Sequence, residues 1–312
     1  MIAGYLHWVS GATDNAIYPS LFLHYVMSSF SSAEDDEPLS NSLRFFFTII
    51  MTLILAWVNY RGLEIVGTLS TVVCVVSMSP FVIMCLIGMF KVEPSRWFQL
   101  PMDLSIIRRS DDVFTDTGFF PSPVLGGVLW RPFLNNLFWN LNSFDAAGSF
   151  AGEIADSGRV FPRAMAYSVL FVVLGYLFPL LVALGATETK QTDWSEGYLA
   201  NIATQIGGPW LGAWTVFAAG ISNLALFEAE MSSDAFQLMG MARRGLFPKI
   251  FSTQSEYDTP TYGIFLGTLI IVLMSVADFS ALVEMLNFAY SISLLIEFAA
   301  FIKLRISHDD GM

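Results

Sequence analysis

Residues 138–153 read Phe138-Trp139-Asn140-Leu141-Asn142-Ser143-Phe144-Asp145-Ala146-Ala147-Gly148-Ser149-Phe150-Ala151-Gly152-Glu153. A carboxylate, Asp145, and two amides, Asn140 and Asn142, sit in a segment otherwise apolar enough to lie in lipid. Gly148 and Gly152 weaken a helix there. A bilayer tolerates polar side chains and loosened backbone only where they face protein or a water-filled cavity. The stretch therefore predicts a broken helix and a candidate binding site inside a membrane.

Composition agrees. The chain has 312 residues, 54% hydrophobic and 13% charged, against ~25% charged in a soluble domain. Its mean hydropathy is +0.59. Residues 15–33, 65–90, 164–187, 209–227 and 259–277 hold no Asp, Glu, Lys or Arg. A spanning helix needs ~20 mostly apolar residues, and a soluble helix of that length needs a polar face. The fold class is an all-α polytopic membrane protein. Eight spans are expected, at roughly 3–28, 43–60, 63–90, 132–152, 163–186, 209–232, 261–278 and 281–302. Residues 91–131 form a long connection of the length that usually serves function or is disordered.

Orientation follows Lys and Arg in short loops. One side collects Arg61, Arg159, Arg163, Arg243, Arg244, Lys249, Lys303 and Arg305. The other carries most of the loop acids, including Glu34-Asp35-Asp36-Glu37. The first side is cytoplasmic, which makes 91–131 an extracytoplasmic loop. A net charge of −12 with no basic surface excludes nucleic acid as a partner. Cys74 and Cys85 share one expected helix eleven residues apart, far beyond disulfide reach at ~1.5 Å rise per residue.

Lys and Arg reach the expected spans only in the first turn, as Arg44 and Arg163, yet Asp14, Asp145, Glu228, Glu230, Asp234 and Glu297 lie within or at the ends of spans. An ionised carboxylate alone in hydrocarbon is costly. Each acid is protonated, near water, or holding a cation from outside the chain. Asn142, Asp145, Ser149 and Gly152 share a face at ~100° per residue; they make a substrate contact or a polar helix–helix contact. Trp139 and Phe144 close over an ammonium by cation–π attraction or pack against neighbours. Asn223, Glu230, Asp234 and Gln237 form a second stripe, lining an exit path or marking a helix end in water, the latter favoured for Asp234 and Gln237. Trp8, Gly11, Asn15 and Tyr18 form a third, with the aromatics read as interfacial anchors and Asp14 beside them unexplained by anchoring. His7 and Glu297 are read as packed or structurally bonded. Hydrolase, zincin and nucleotide-loop motifs are missing, so no enzyme is expected.

Ala242-Arg243-Arg244-Gly245-Leu246-Phe247-Pro248, then Thr259-Pro260, resembles the segment after the eighth helix of the amino acid–polyamine–organocation superfamily. Gly11 through Phe22, Asn59 through Leu63, Leu137 through Asn142 and Ala229 through Asp234 are similar to its plant-type polyamine uptake transporters, themselves similar to L-type amino acid transporters. Leu295 through Phe301 is a weaker piece. The resemblance implies a twelve-helix fold of two inverted five-helix repeats, of which these spans are helices three to ten in one transmembrane transporter domain over 1–312, with the first two and last two absent. It implies proton- or cation-coupled polyamine symport, a small cationic organic substrate, a proton as coupling ion with no other cofactor, and a plasma or internal membrane. It names no protein partner. Asp145 would hold the substrate ammonium, Asn140 and Asn142 would orient it, and Asp14, Asn15, Asn223 or Glu230 would serve the cation, proton or pathway. Amino-acid exchange and a truncated, non-transporting membrane protein are the alternatives. Ser143-Phe144 stand where the family has Tyr-Trp, and Leu286 precedes Asn287 where the plant pattern has Glu.

Overall fold

The computed structural model describes residues 2–30, 41–98, 124–125, 128–142, 144–150, 152, 154–189, 194, 197–275, 277 and 279–309. Among the described residues it is an all-α polytopic membrane protein apart from one short ladder and a single antiparallel bridge between Gln254 and Pro260. The helices are α1 (Ile2–Asn15), α2 (Ile17–Phe30), α3 (Asn41–Tyr60), α4 (Leu63–Gly88), α5 (Trp130–Leu141), α6 (Ser157–Ala186), α7 (Tyr198–Gly207), α8 (Pro209–Arg243), α9 (Thr261–Met274) and α10 (Phe279–Asp309). Two-residue strands, β1 (Val124–Leu125) and β2 (Val128–Leu129), pair antiparallel just before α5. Most of the 91–131 connection, residues 99–123, lies outside the described residues.

Among the described residues, five helices are long and apolar enough to cross a membrane: Ser42–Tyr60, Leu63–Lys91, Ser157–Ala186, Pro209–Arg243 and Ala281–Ile306. The other three expected spans are interrupted or short. The first divides at Ala16, whose N–H turns back to the Thr13 carbonyl at 3.2 Å. Pro19 gives the reason: it has no N–H for the Asn15 carbonyl, and its ring crowds that turn. The span expected at 132–152 ends as a helix at Leu141 and resumes as a 3-10 turn, Ala146–Phe150. The face shared by Asn142, Asp145, Ser149 and Gly152 in a continuous helix therefore does not form. The seventh expected span is the 14-residue helix α9.

α7 is an addition to the expected set. Its ten residues are too few to span a membrane. Ala200, Ile202, Ala203 and Ile206 bury one face, and left-handed Gly197 and Gly208 close its two ends at φ 77° and 93°. Only glycine adopts that conformation without a Cβ penalty.

α8 is the central post, packing against α1, α2, α3, α4, α7 and α9, while α1 lies between α8 and α10. One apolar core joins Ile17, Leu55, Phe227, Met231, Ile264 and Leu286. A second joins Met84, Val182, Ile202, Ile206 and Leu211. Outward surfaces stay apolar, as in α6, where Val169, Leu170, Phe171, Val172 and Val173 are all exposed. Water disfavours a patch of that extent, and lipid does not.

Loop contacts agree with the charge-based sides. Arg61 stacks over Tyr257 at 4.8 Å, and Thr259 Oγ1 donates to the Tyr60 carbonyl at 2.8 Å. This joins the α3–α4 and α8–α9 loops, both from the basic set. At the opposite end, Arg96 pairs with Glu188 at 3.3 Å and Lys91 Nζ donates to the Ile206 carbonyl at 2.9 Å.

α8 and α9 approach closely at Gly263, where a Cβ would lie 3.0 Å from the Ala235 Cα and 3.1 Å from its carbonyl oxygen. Backbone cannot yield as a side-chain tip does. Gly263→Val is expected to destabilise the chain by about 1–3 kcal/mol, read as a lower melting temperature in detergent; an unchanged melt would show this contact to be slack.

Candidate functional site

The break after Leu141 is what delivers Asp145. With the helix interrupted, the 3-10 turn starts on the Asp145 carbonyl, which accepts from the Gly148 N–H at 2.8 Å. Ser233 of α8 donates to the Ala146 carbonyl at 3.2 Å and pins the turn to the central post. The carboxylate is thereby held against α1 and α10. Asp145 Oδ1 accepts the Tyr290 hydroxyl at 2.5 Å, and Oδ2 lies 3.4 Å from His7 Nδ1. That nitrogen is buried without an aligned hydrogen-bond partner, so the His7 contact is one of proximity and charge.

Glu297 of α10 completes the group, and one ligand atom from each of His7, Asp145 and Glu297 lies within 4.8 Å of the others. Three acceptors around one ammonium at ~2.8 Å stand ~4.6 Å apart. Three ligands of a zinc ion at ~2.1 Å stand only ~3.4 Å apart. With His7 Nδ1 and Asp145 Oδ2 3.4 Å apart and no pair beyond 4.8 Å, the spacing of the group accommodates either guest. The three residues line a cavity of about 590 Å³ that also touches Gly148, Gly152, Arg243 and Arg244. The cavity therefore extends to the basic loop after α8.

A second group of acids lies beside the first. Asp14 is 4% exposed. Its Oδ1 accepts from Trp139 Nε1 at 2.9 Å and its Oδ2 from the Tyr18 hydroxyl at 3.1 Å. Glu230 is within electrostatic reach of both Asp14 and Asp145, and Asp234 of Glu230 and Asp14. The residues expected from sequence are thus brought together as Asp14 with Trp139, and Glu230 near both Asp14 and Asp145.

Others stand apart. Asn140 is exposed, donating to the Asn136 carbonyl at 2.8 Å and accepting from Tyr176 at 3.3 Å. Phe144 is 53% exposed, while Trp139 is committed to Asp14, so the two rings form no common lid. Asn223 donates to the Ala219 carbonyl of its own helix at 2.8 Å. Asn142 Nδ2 and Asn15 Oδ1 are buried without a hydrogen-bond partner, which leaves each able to take a ligand or a water.

Two expectations are corrected. Asp234 and Gln237 do not emerge into water. α8 runs on to Arg243, Asp234 is 5% exposed, and Gln237 Nε2 donates to the Gly4 carbonyl at 3.1 Å. The reason is Gly11, whose missing side chain leaves the space that the Asp234 carboxylate fills. Trp8 and Tyr18 are not interfacial anchors either; both are buried, Trp8 because α1 is enclosed by α8 and α10 and Tyr18 because α2 packs on α8.

Sequence reasoning gave His7 and Glu297 packing roles, and it did not join Asn59 to Glu228. Asn59 Nδ2 donates to the Glu228 carbonyl at 2.8 Å and to its carboxylate Oε2 at 3.1 Å, and Ser232 donates to Asn59 Oδ1 at 3.2 Å. The available signal was an acid in an apolar run with a single long-range amide able to reach it.

The profile of a family described as amino acid permease matches residues 1–311. A probable polyamine transporter of Arabidopsis thaliana is 40% identical over 308 residues, 98% of this chain and 58% of that protein. The polyamine transporter PUT1 of Oryza sativa subsp. japonica is 39% identical over 308 residues, 99% of this chain and 53% of that protein. A D-serine/D-alanine/glycine transporter of Escherichia coli (strain K12) is 23% identical over 217 residues, 69% of this chain and 43% of that protein. The chain spans about half the length of the plant relatives it matches.

Proposed function

We infer the function from one premise: the chain belongs to the amino acid permease family. On our reading it takes part in secondary active transport of polyamines, with a proton as the coupling ion and symport as the mode. The observation that carries this is similarity along 98% of the chain to a protein named a probable polyamine transporter. The site adds chemical support. A polyamine is a chain of ammonium groups without a carboxylate, and the cavity offers the Asp145–Glu297 pair to one of them. The neighbouring Asp14, Glu230 and Asp234 serve a further ammonium or the coupling proton. Rocking of helices about a midplane site at a broken helix gives alternating access.

The test is uptake of labelled spermidine into proteoliposomes. It is run on the 312-residue chain and on a chimera in which this chain replaces the matched segment of the rice transporter. Spermidine accumulation that collapses with the pH gradient and ignores excess leucine is the expected result. Competition by leucine would overturn the polyamine reading in favour of amino-acid exchange. No flux from either protein would overturn transport altogether.

A further inference from the structure

His7 brings a nitrogen ligand to the two carboxylates of the cavity. The residue is 8% exposed. Its Nδ1 is buried 3.4 Å from Asp145 Oδ2 without a hydrogen-bond partner. One ligand atom from each of His7, Asp145 and Glu297 lies within 4.8 Å of the others. We propose that the three residues form a site for a zinc-like transition-metal dication, and that such an ion shuts the cavity to the substrate ammonium. The metal site stands on its own geometry, whereas the exclusion of substrate rests on the polyamine reading.

The donor set selects the guest. An imidazole with its proton on Nε2 presents a lone pair at Nδ1. Facing a carboxylate oxygen at close range, that lone pair is repelled unless a cation stands between them. One imidazole nitrogen with two carboxylate oxygens suits zinc, cobalt or nickel, while magnesium and calcium favour oxygen ligands alone. Three protein ligands leave a fourth position for water, as in open zinc sites. The His7–Asp145 edge, at 3.4 Å, already matches the ~3.4 Å between two ligands that each stand ~2.1 Å from zinc. Glu297 is the member that closes on the ion, through its flexible side-chain torsions.

The outer contacts fit as well. Carboxylates that bind metal are themselves hydrogen-bonded, and those bonds orient them. Tyr290 donates to Asp145 Oδ1 at 2.5 Å. The Ser293 hydroxyl, shared with the Ala3 carbonyl, reaches Glu297 Oε1 at 3.2 Å. Each carboxylate keeps its other oxygen for the ion. Arg243 and Arg244 line the same cavity and oppose a cation in it, but Arg243 Nη2 donates to Gln254 Oε1 at 2.9 Å, which holds that guanidinium at the loop before α9. The cavity also reaches Leu246, so the ion enters from the side of the basic loop. Once bound, it takes the oxygens that an ammonium would use and repels the ammonium by its own charge. Asp14, Glu230 and Asp234 lie outside the metal site and stay available to the coupling proton.

The experiment is calorimetric titration of Zn²⁺ into the purified, untagged chain in nanodiscs of zwitterionic lipid, with Mg²⁺ as the control. One Zn²⁺ per chain should bind, and Mg²⁺ should not match it. Tyr290→Phe keeps all three ligands but releases Asp145, and it should weaken Zn²⁺ binding by about 10–100-fold. His7→Gln and Glu297→Gln each alter a ligand and should weaken it at least as much; the two are independent, should one fold poorly. His308, beside Asp309 and Asp310 in sequence, is a rival ligand, and His308→Gln should leave binding as it is. Saturating spermidine should weaken Zn²⁺ binding, and Zn²⁺ should weaken spermidine binding by the same factor. Absence of Zn²⁺ binding, equal affinity for Mg²⁺, or binding that survives both His7→Gln and Glu297→Gln would overturn the metal site and leave polyamine transport standing. Simultaneous binding of Zn²⁺ and spermidine without mutual weakening would overturn the exclusion. Zn²⁺ binding with the expected variant pattern, in a chain that never binds spermidine, would support the metal site and count against the polyamine reading.

Discussion

Asp145→Asn is expected to reduce spermidine uptake by at least about thirtyfold, with insertion and folding intact. Truncating one partner of a buried charge pair costs ~2–5 kcal/mol of binding, and 2 kcal/mol is already ~30-fold in affinity. The substitution is nearly isosteric, and an Asn carbonyl still accepts the Tyr290 hydroxyl that Asp145 Oδ1 accepts now. The 3-10 turn is held through main-chain groups, the Asp145 carbonyl and the Ala146 carbonyl, so it does not depend on the charge. What disappears is one of the two carboxylates facing the cavity. The measurement is the concentration dependence of uptake beside a detergent melt. A raised half-saturation concentration with an unchanged melt supports the assignment. Unaltered uptake with normal expression would remove Asp145 from the path, and a collapsed melt would make it a structural residue.

The membrane class and most span positions were legible because lipid demands long uncharged runs, and these stand out without any tertiary knowledge. The break at 138–153 was legible for the complementary reason: Asn142, Asp145 and Gly148 have no place in a lipid-facing helix. The break at Ala16 was less so, since Pro19 sits inside an otherwise apolar run and membrane helices often tolerate proline. α7 escaped because ten residues with one apolar face do not resemble a span. The site was half legible. Asp145 and Asp14 declare themselves by charge in an apolar context, but their partners are fixed only by packing. Trp139 reaches Asp14, and His7 reaches Asp145, across more than a hundred residues of sequence. Asp234 was misjudged through a helix boundary. Leu238, Met239, Met241 and Ala242 continue the apolar pattern of α8 and are all buried, so its end belonged at the arginines.

Asn59→Leu is expected to be the most damaging substitution for stability, and its rescue is specific. Glu228 is 0% exposed, and Asn59 Nδ2 is its side-chain donor at 3.1 Å, while Oε1 has no hydrogen-bond partner. Removing the amide leaves a buried carboxyl with nothing from Asn59 and also strips Ser232 of its acceptor. Leaving a buried polar group unsatisfied costs ~1–3 kcal/mol for each group, whereas replacing both partners by apolar side chains of similar size is often close to neutral. The melting temperature of Asn59→Leu should therefore fall sharply, and Asn59→Leu with Glu228→Met should recover a large part of the loss. Glu228→Gln alone should be mild, since its amide oxygen can still accept from Asn59. The thermodynamic cycle over these variants is the measurement. Additive losses in the double variant would mean that Asn59 acts through the α3–α4 turn and not through Glu228. The pairing locks α3 to α8 close to the loop that stacks Arg61 on Tyr257, so a rescued variant should regain the contact between those two loops along with its melt.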